Sequence, residues 1–333
     1  MRKTLNKKSN ATRKRRQSSD MLTIRNILVP MDFSGFARQA LTCAVPLARK
    51  HRAKISLIHV VRPTAALRAF PDGGIAIPMD AYRLVSVART HLGDLAARLL
   101  PDELRGRMLV REGYPADQVV AAAKAIRADL IVLSNTGRSG LKRVVLGSTA
   151  ERILRHAHCP VLTVRRQSSG PAMRLLSLEK PLYPQRLPWR RILAPLDFSL
   201  TSLRALKIAV PLAKESSARL VLLNVVEPNP YPTGMEGAIL VTPDANLEQN
   251  AKKELPQVAR RFVPKSIRVT SLVARGRAAD VIVETAEKKG VDLIVLSTHG
   301  HTGLNPLLMG STAEQVVRTA KCPVFVVRKP RQS

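Results

Sequence analysis

Aromatic residues are scarce in this 333-residue chain, with Phe, Tyr and Trp together making up 3% of it. That scarcity argues against a platform on which nucleic-acid bases stack. Only three cysteines occur, Cys43, Cys159 and Cys322, far apart in sequence. This excludes a disulfide scaffold and fits a reducing compartment. No uninterrupted run of ~18 apolar residues is present, so no membrane span is expected. Arg25 and Asn26 interrupt Met21–Pro30, which leaves no apolar core for a signal peptide. A cytoplasmic protein is expected. Met21 stands just before the first expected strand, and translation starting there would make the preceding tail an artefact of start assignment.

Acidic residues are also few, 24 Asp+Glu against 55 Lys+Arg, for a formal charge of +31. Residues 1–20 hold eight of the basic residues against one Asp, and residues 165–191 hold seven against one Glu. Charge of this kind supports weak, nonspecific contact with polyanions such as nucleic acid, and no particular function. The 45% hydrophobic content excludes a disordered chain, and the length suits two domains.

The chain is an internal duplication. Residues 25–34 recur as residues 190–199, with seven of ten positions identical, including Pro30/Pro195 and Asp32/Asp197. Residues 129–165 recur as residues 292–328, with 21 of 37 positions identical. The expected organisation is a basic disordered tail (1–20), a first unit (21–165), a linker (166–189), a second unit (190–328) and a short tail (329–333). The linker mixes Ser, Gly, Pro and Arg. Its Leu175, Leu176, Leu178 and Leu182 suggest that part of it packs on a unit.

Strands alternate with helices within each unit. In the first, strands are expected at Ile27–Pro30, Ile55–Val61, Arg107–Arg111, Asp129–Leu133 and Pro160–Val164. Helices are expected after Ser34, over Asp80–Leu100, over Pro115–Ile126 with proline at its start, and over Ser148–His156. Buried apolar strands joined by helices imply an α/β fold: a doubly wound, parallel five-stranded sheet in each repeat. Ligands in such folds sit at the carboxyl ends of the strands, near the switch point.

Two segments at those ends carry chemistry. One follows the first strand and contains Asp32 or Asp197. The other follows the fourth strand: Ser134-Asn135-Thr136-Gly137-Arg138-Ser139-Gly140 and then Gly147-Ser148-Thr149 in the first unit, and Ser297-Thr298-His299-Gly300-His301-Thr302-Gly303 and then Gly310-Ser311-Thr312 in the second. Glycines let main-chain amides approach an anion, and a helix start beside them makes a phosphate cradle. Ser148 and Ser311 precede Glu151 and Glu314 by three residues, a capping-box pattern that also has a purely structural meaning. Neither a Walker A loop nor a dinucleotide fingerprint occurs.

The nine-residue spacing of Gly137–Gly147 and Gly300–Gly310, the Asp after the first strand and the Cys-Pro before the fifth resemble the universal stress protein (UspA) family. Its nucleotide-binding members carry G-x2-G-x9-G-[ST]; Ser134 and Ser297 replace the first glycine here. The resemblance implies an adenine nucleotide alpha hydrolase-like, Rossmann-like fold in tandem. It implies a stress-response sensor or regulator that binds ATP or another adenine nucleotide, with or without Mg²⁺. Asp32 and Asp197, in the loops of Pro30 and Pro195, would meet the adenosine, as would Val60 and Val225 at the ends of the second strands; alternatively each Asp only caps the helix starting at Ser34 or Ser199. Gly137, Gly140, Gly147, Ser148, Thr149 and Gly300, Gly303, Gly310, Ser311, Thr312 would hold the phosphates; Arg138 could contact them directly, His299 could contact them or be a solvated loop residue, and Ser134 and Ser297, in place of the first glycine, bear on the adenine side of the site. The second unit keeps the Thr-His-Gly triplet and so is the favoured binder. The last strands, Val161–Val164 and Val324–Val327, would pair the units as a pseudo-dimer, and two chains could associate further. The alternatives are a nucleotide-free interaction module or polyanion binding through the basic tail.

No catalytic triad and no arginine finger with a water-positioning residue is recognisable, so a binding module is expected, with at most slow ATP hydrolysis. His156, His158 and Cys159 cluster in sequence, but Thr319 and Lys321 replace the histidines in the second copy. No metal site is expected there.

Overall fold

Ile27, Leu28 and Val29 are consecutive and all fully buried. Successive side chains of a strand point to opposite faces, so such a strand must be covered by helices on both sides. The computed structural model describes residues 22–62, 80–135, 146–165, 183–227, 243–298 and 309–328. Its first lobe runs β1 (Asn26–Pro30), α1 (Gly35–His51), β2 (Lys54–Val61), α2 (Asp80–Leu99), β3 (Arg105–Glu112), α3 (Pro115–Ala125), β4 (Leu130–Ser134), α4 (Ser148–His156) and β5 (Val161–Val164). The second repeats it as β6 (Arg191–Pro195), α5 (Leu200–Ser216), β7 (Arg219–Val226), α6 (Pro243–Phe262), β8 (Val269–Arg275), α7 (Ala278–Lys288), β9 (Leu293–Ser297), α8 (Ser311–Thr319) and β10 (Val324–Val327).

The strands form one ten-stranded sheet in the order β3-β2-β1-β4-β5-β10-β9-β6-β7-β8. The expectation of a separate five-stranded sheet per repeat is therefore refined. Each lobe is parallel throughout, and β5 pairs antiparallel with β10, Val324 opposite Thr163 and Val326 opposite Val161. An apolar last strand leaves an open sheet edge, and pairing it with its copy covers both edges at once. The antiparallel seam turns the carboxyl ends of the two parallel halves toward opposite sides of the molecule.

Both cores cross the seam. On one face, residues of α1, α2, α5 and α6 share a cluster with Ile27, Phe325 and Ile192; on the other, α3, α4, α7 and α8 enclose Leu28, Val161 and Val326. Arg165 donates to the carbonyls of Thr319 (2.8 Å) and Ala320 (2.6 Å), while its copy Arg328 donates to the carbonyl of Leu154. Each guanidinium thus satisfies carbonyls at the end of a helix in the other lobe. Within each lobe, Asp129 and Asp292 accept two main-chain N–H bonds at the start of the first strand, from Arg25 and Asn26 and from Arg190 and Arg191 respectively.

The end of the expected linker packs against a lobe. Tyr183, Leu187 and Trp189 are buried, and the Tyr183 hydroxyl donates to the Leu99 carbonyl at 2.8 Å. Leu175, Leu176, Leu178 and Leu182 lie outside the described residues.

Candidate functional site

In the order 3-2-1-4-5 the chain reverses direction between β1 and β4, and the loops leaving these two strands diverge. A cavity of about 810 Å³ opens there, within the range of small-molecule sites. Its floor is Pro30 and Met31 from β1 and its exit loop, Ile58–Val61 from β2, and Leu133 and Ser134 from β4. Gly147, Ser148 and Thr149 at the start of α4 close one end, and Leu84, Val87, Ala88 and His91 of α2 form a wall.

The loop after β1 is held from both sides. Met31 N–H donates to the Ile58 carbonyl at 2.8 Å, and the Met31 carbonyl accepts from His59 Nδ1 at 2.7 Å. A carbonyl can only accept, so Nδ1 carries the proton. Asp32 Oδ1 accepts from the N–H of Ser34 (2.9 Å) and from its hydroxyl (2.5 Å), and Ser34 Oγ caps α1 through the N–H of Ala37 at 3.2 Å. Ser34, not Asp32, thus caps α1. Among the described residues, Asp32 Oδ2 has no partner and remains available to the cavity that Asp32 lines. Between them Phe33 adopts φ 62° and sets its ring 4.3 Å from that of His59 and 5.1 Å from that of His91.

The second lobe reproduces this frame with other side chains. Leu196 N–H reaches the Leu223 carbonyl (2.8 Å), Asn224 Nδ2 donates to the Leu196 carbonyl (2.8 Å), and Asp197 Oδ1 accepts from Ser199 N–H (3.0 Å) and Oγ (2.6 Å). Phe198 has φ 63°.

At the other end, Gly147 N–H donates to the Asn135 carbonyl (2.9 Å) and Gly310 N–H to the Thr298 carbonyl (2.7 Å), fixing where α4 and α8 begin. The capping-box expectation is corrected. Gly147 and Gly310 occupy the N-cap positions, and neither helix start has a side-chain cap. Ser148 and Ser311 are the first helical residues, so their hydroxyls cannot reach back to cap. Glu151 instead accepts from Arg155, which also bonds Glu314 of the other lobe at 2.9 Å. The first N–H groups of α4 therefore face the cavity mouth without a protein acceptor among the described residues, the arrangement that attracts an anion.

Of the residues expected at the site, Pro30, Asp32, Val60, Ser134, Gly147, Ser148 and Thr149 line this one cavity. Pro195, Asp197, Val225, Ser297, Gly310, Ser311 and Thr312 occupy the matching positions of the second lobe. Gly137, Arg138, Gly140, His299, Gly300 and Gly303 lie outside the described residues. Sequence reasoning missed Phe33, His59, Arg62 and the α2 wall. The wall had a signal: Leu84, Ala88 and His91 follow helical spacing.

An open parallel sheet covered by helices on both faces, with a cleft at its switch point and an uncapped helix start at the cleft's end, defines a protein of the doubly wound α/β class. Sequence comparison makes the assignment finer. The profile of the Universal stress protein family matches twice, over residues 23–165 and 188–328, and the chain belongs to that family. One relative is the universal stress protein MJ0531 of Methanocaldococcus jannaschii, 37% identical over 146 residues, which cover 43% of this chain and 85% of that protein. The universal stress protein Rv2623 of Mycobacterium tuberculosis is 26% identical over 317 residues, 91% of this chain and 96% of its own length. A crystal structure of a universal stress protein from Archaeoglobus fulgidus shares the fold, with a TM-score of 0.62, 20% identity, and coverage of 94% of this chain and 100% of that one.

Proposed function

We propose that this protein binds ATP or another adenine nucleotide in the cytoplasm and acts as a stress-response sensor or regulator, by binding rather than turnover. The observation that carries this reading is the cavity at the β1/β4 switch point, with a half-engaged carboxylate at one end and uncapped helix amides at the other. A nucleotide needs these opposed chemistries: hydroxyl acceptors for the ribose and donors for the phosphates. Asp32 Oδ2 suits ribose hydroxyls. The Ser148 and Thr149 hydroxyls and the first N–H groups of α4 suit phosphate oxygens. Val60, Leu84, Val87 and Val119 give the apolar surface that a base requires.

Equilibrium dialysis of the full chain with Mg-ATP tests the reading, paired with mass spectrometry of small molecules released from purified protein. Retained nucleotide is expected, and Gly147→Val, which puts a branched side chain at the helix mouth, should abolish binding at that lobe. No retention at millimolar ATP would refute it.

A further inference from the structure

The two lobes share a backbone frame but not a charge. The cavity of the first lobe is lined by Asp32 and Arg62, which cancel, and by His59 and His91. In the second lobe, strand β7 follows β2 at an offset of 165, so Asn224 takes the place of His59 and Glu227 that of Arg62. Helix α6 follows α2 at an offset of 163: buried Ala251 and Leu255 match buried Ala88 and Leu92, which puts Glu254 where His91 stands. With Asp197 in the place of Asp32, the described positions that match the first lobe's lining carry three carboxylates and no cation.

The neighbouring cations of the second lobe are already engaged. Arg275 binds Glu248 at 2.5 Å and Arg277 donates to Gln315 at 2.9 Å. Glu227 itself accepts from the N–H of Ala278 at 2.6 Å, at the start of α7, so its carboxylate is anchored beside the end of β7. The segments between β4 and α4 and between β9 and α8 lean the same way in sequence: Arg138, Lys142 and Arg143 are matched by His301, Asn305 and Pro306.

We propose that the first lobe alone takes the polyanionic nucleotide and that the carboxylates of the second lobe, Glu227 and Glu254, exclude it. This rests on the nucleotide reading above and reverses the preference that the Thr-His-Gly triplet suggests. A difference of three charges around one ligand, in a cleft where water screens incompletely, is worth on the order of tenfold or more in affinity per lobe. The hydrogen-bonded frame of the loop after β6 is retained, so the proposed exclusion rests on charge.

The test is binding stoichiometry on the full chain, with Mg-ATP and, separately, uncharged adenosine. Wild type should hold one Mg-ATP per chain. Arg62→Glu with His91→Glu should weaken that site at least about tenfold, and Glu227→Arg with Glu254→His should bring in a second equivalent. All four positions are exposed, and far-ultraviolet circular dichroism would verify that the variants fold. With adenosine the difference between lobes should vanish. Two equal Mg-ATP sites in wild type, a single site indifferent to charge reversal in the first lobe, or a lobe preference that persists with adenosine would each overturn the proposal. Absence of any Mg-ATP binding, in wild type and variants alike, would instead overturn the underlying nucleotide reading.

Discussion

Phe33 and Phe198 hold their backbones at φ 62° and 63°, a region that costs a bulky residue on the order of 1–2 kcal/mol. The strain persists because both flanks are fixed: a side-chain bond from β2 or β7 clasps the residue before the aspartate, and the aspartate clasps the serine after the phenylalanine. The cysteines give a sharper single-residue expectation. Burial pushes the Cys43 thiol up to about 11 and the Cys159 thiol up to about 12, from an ordinary value of 9.0. Between pH 9 and about 11 the native state keeps protons that the unfolded chain has lost, so stability falls as pH rises through that window. Each buried thiol should cost on the order of 1 kcal/mol at pH 10. Denaturant melts of wild type and of a Cys43→Ala, Cys159→Ala variant should show a flatter alkaline decline in the variant. Gly106 answers to sterics instead. A β-carbon there would meet Ser56 Oγ at 2.7 Å and the Ile55 carbonyl oxygen at 3.0 Å, beside the register shift between β2 and β3. Gly106→Ala should lower stability by about 1–3 kcal/mol, read as a drop in the urea midpoint.

The helices α1 and α5 end on Arg52 and Ser217, both in the left-handed conformation (φ 54° and 56°) that glycine adopts without penalty. Ser217→Gly should raise stability by up to about 1 kcal/mol, checked by thermal denaturation. Elements were the most legible layer of the sequence. Ser148–His156 is a helix over the residues that its pattern indicates, and Pro115 opens α3 as expected. Strand bounds shifted by one or two residues because pairing with a neighbour, which no local pattern contains, decides where a strand stops. The helix cap after β4 was misplaced by one position, since glycine can serve as an N-cap without the side-chain signal that serine advertises. The aspartates and glycines of the cleft were readable through repetition. Its α2 wall showed only as helical spacing, which nothing tied to the cleft, because the two copies differ there and it comes from chain distant from the motif. The bridge from Arg155 to Glu314 spans 159 residues of sequence and could only be seen folded.

Across the whole molecule, both core clusters run through the seam from one lobe into the other, so the lobes should unfold together. Phe325 of β10 is 1% exposed and lies in a cluster shared with α1 and α2 of the first lobe. Phe325→Ala should cost about 3–5 kcal/mol. Calorimetry should show a single transition shifted as a whole; two separated transitions would show that the lobes unfold independently. The asymmetry of the interface has the same origin. Arg155 bonds Glu151 and Glu314 together, while its copy Arg318 is exposed and has no ion pair among the described residues. Likewise, His51 Nε2 lies 3.1 Å from Glu215 Oε2, and neither residue is preserved in the other copy, where Ser216 and Lys50 stand instead.

Two separate subunits joined about a twofold axis must present the same surface to each other, so any change at the contact is made twice. Covalent fusion removes that obligation. It also makes the encounter of the halves independent of how much protein a cell holds, since a tethered neighbour is always present at high effective concentration. The seam should survive dilution that would split an unlinked pair, and each half is at liberty to specialise without its partner having to follow.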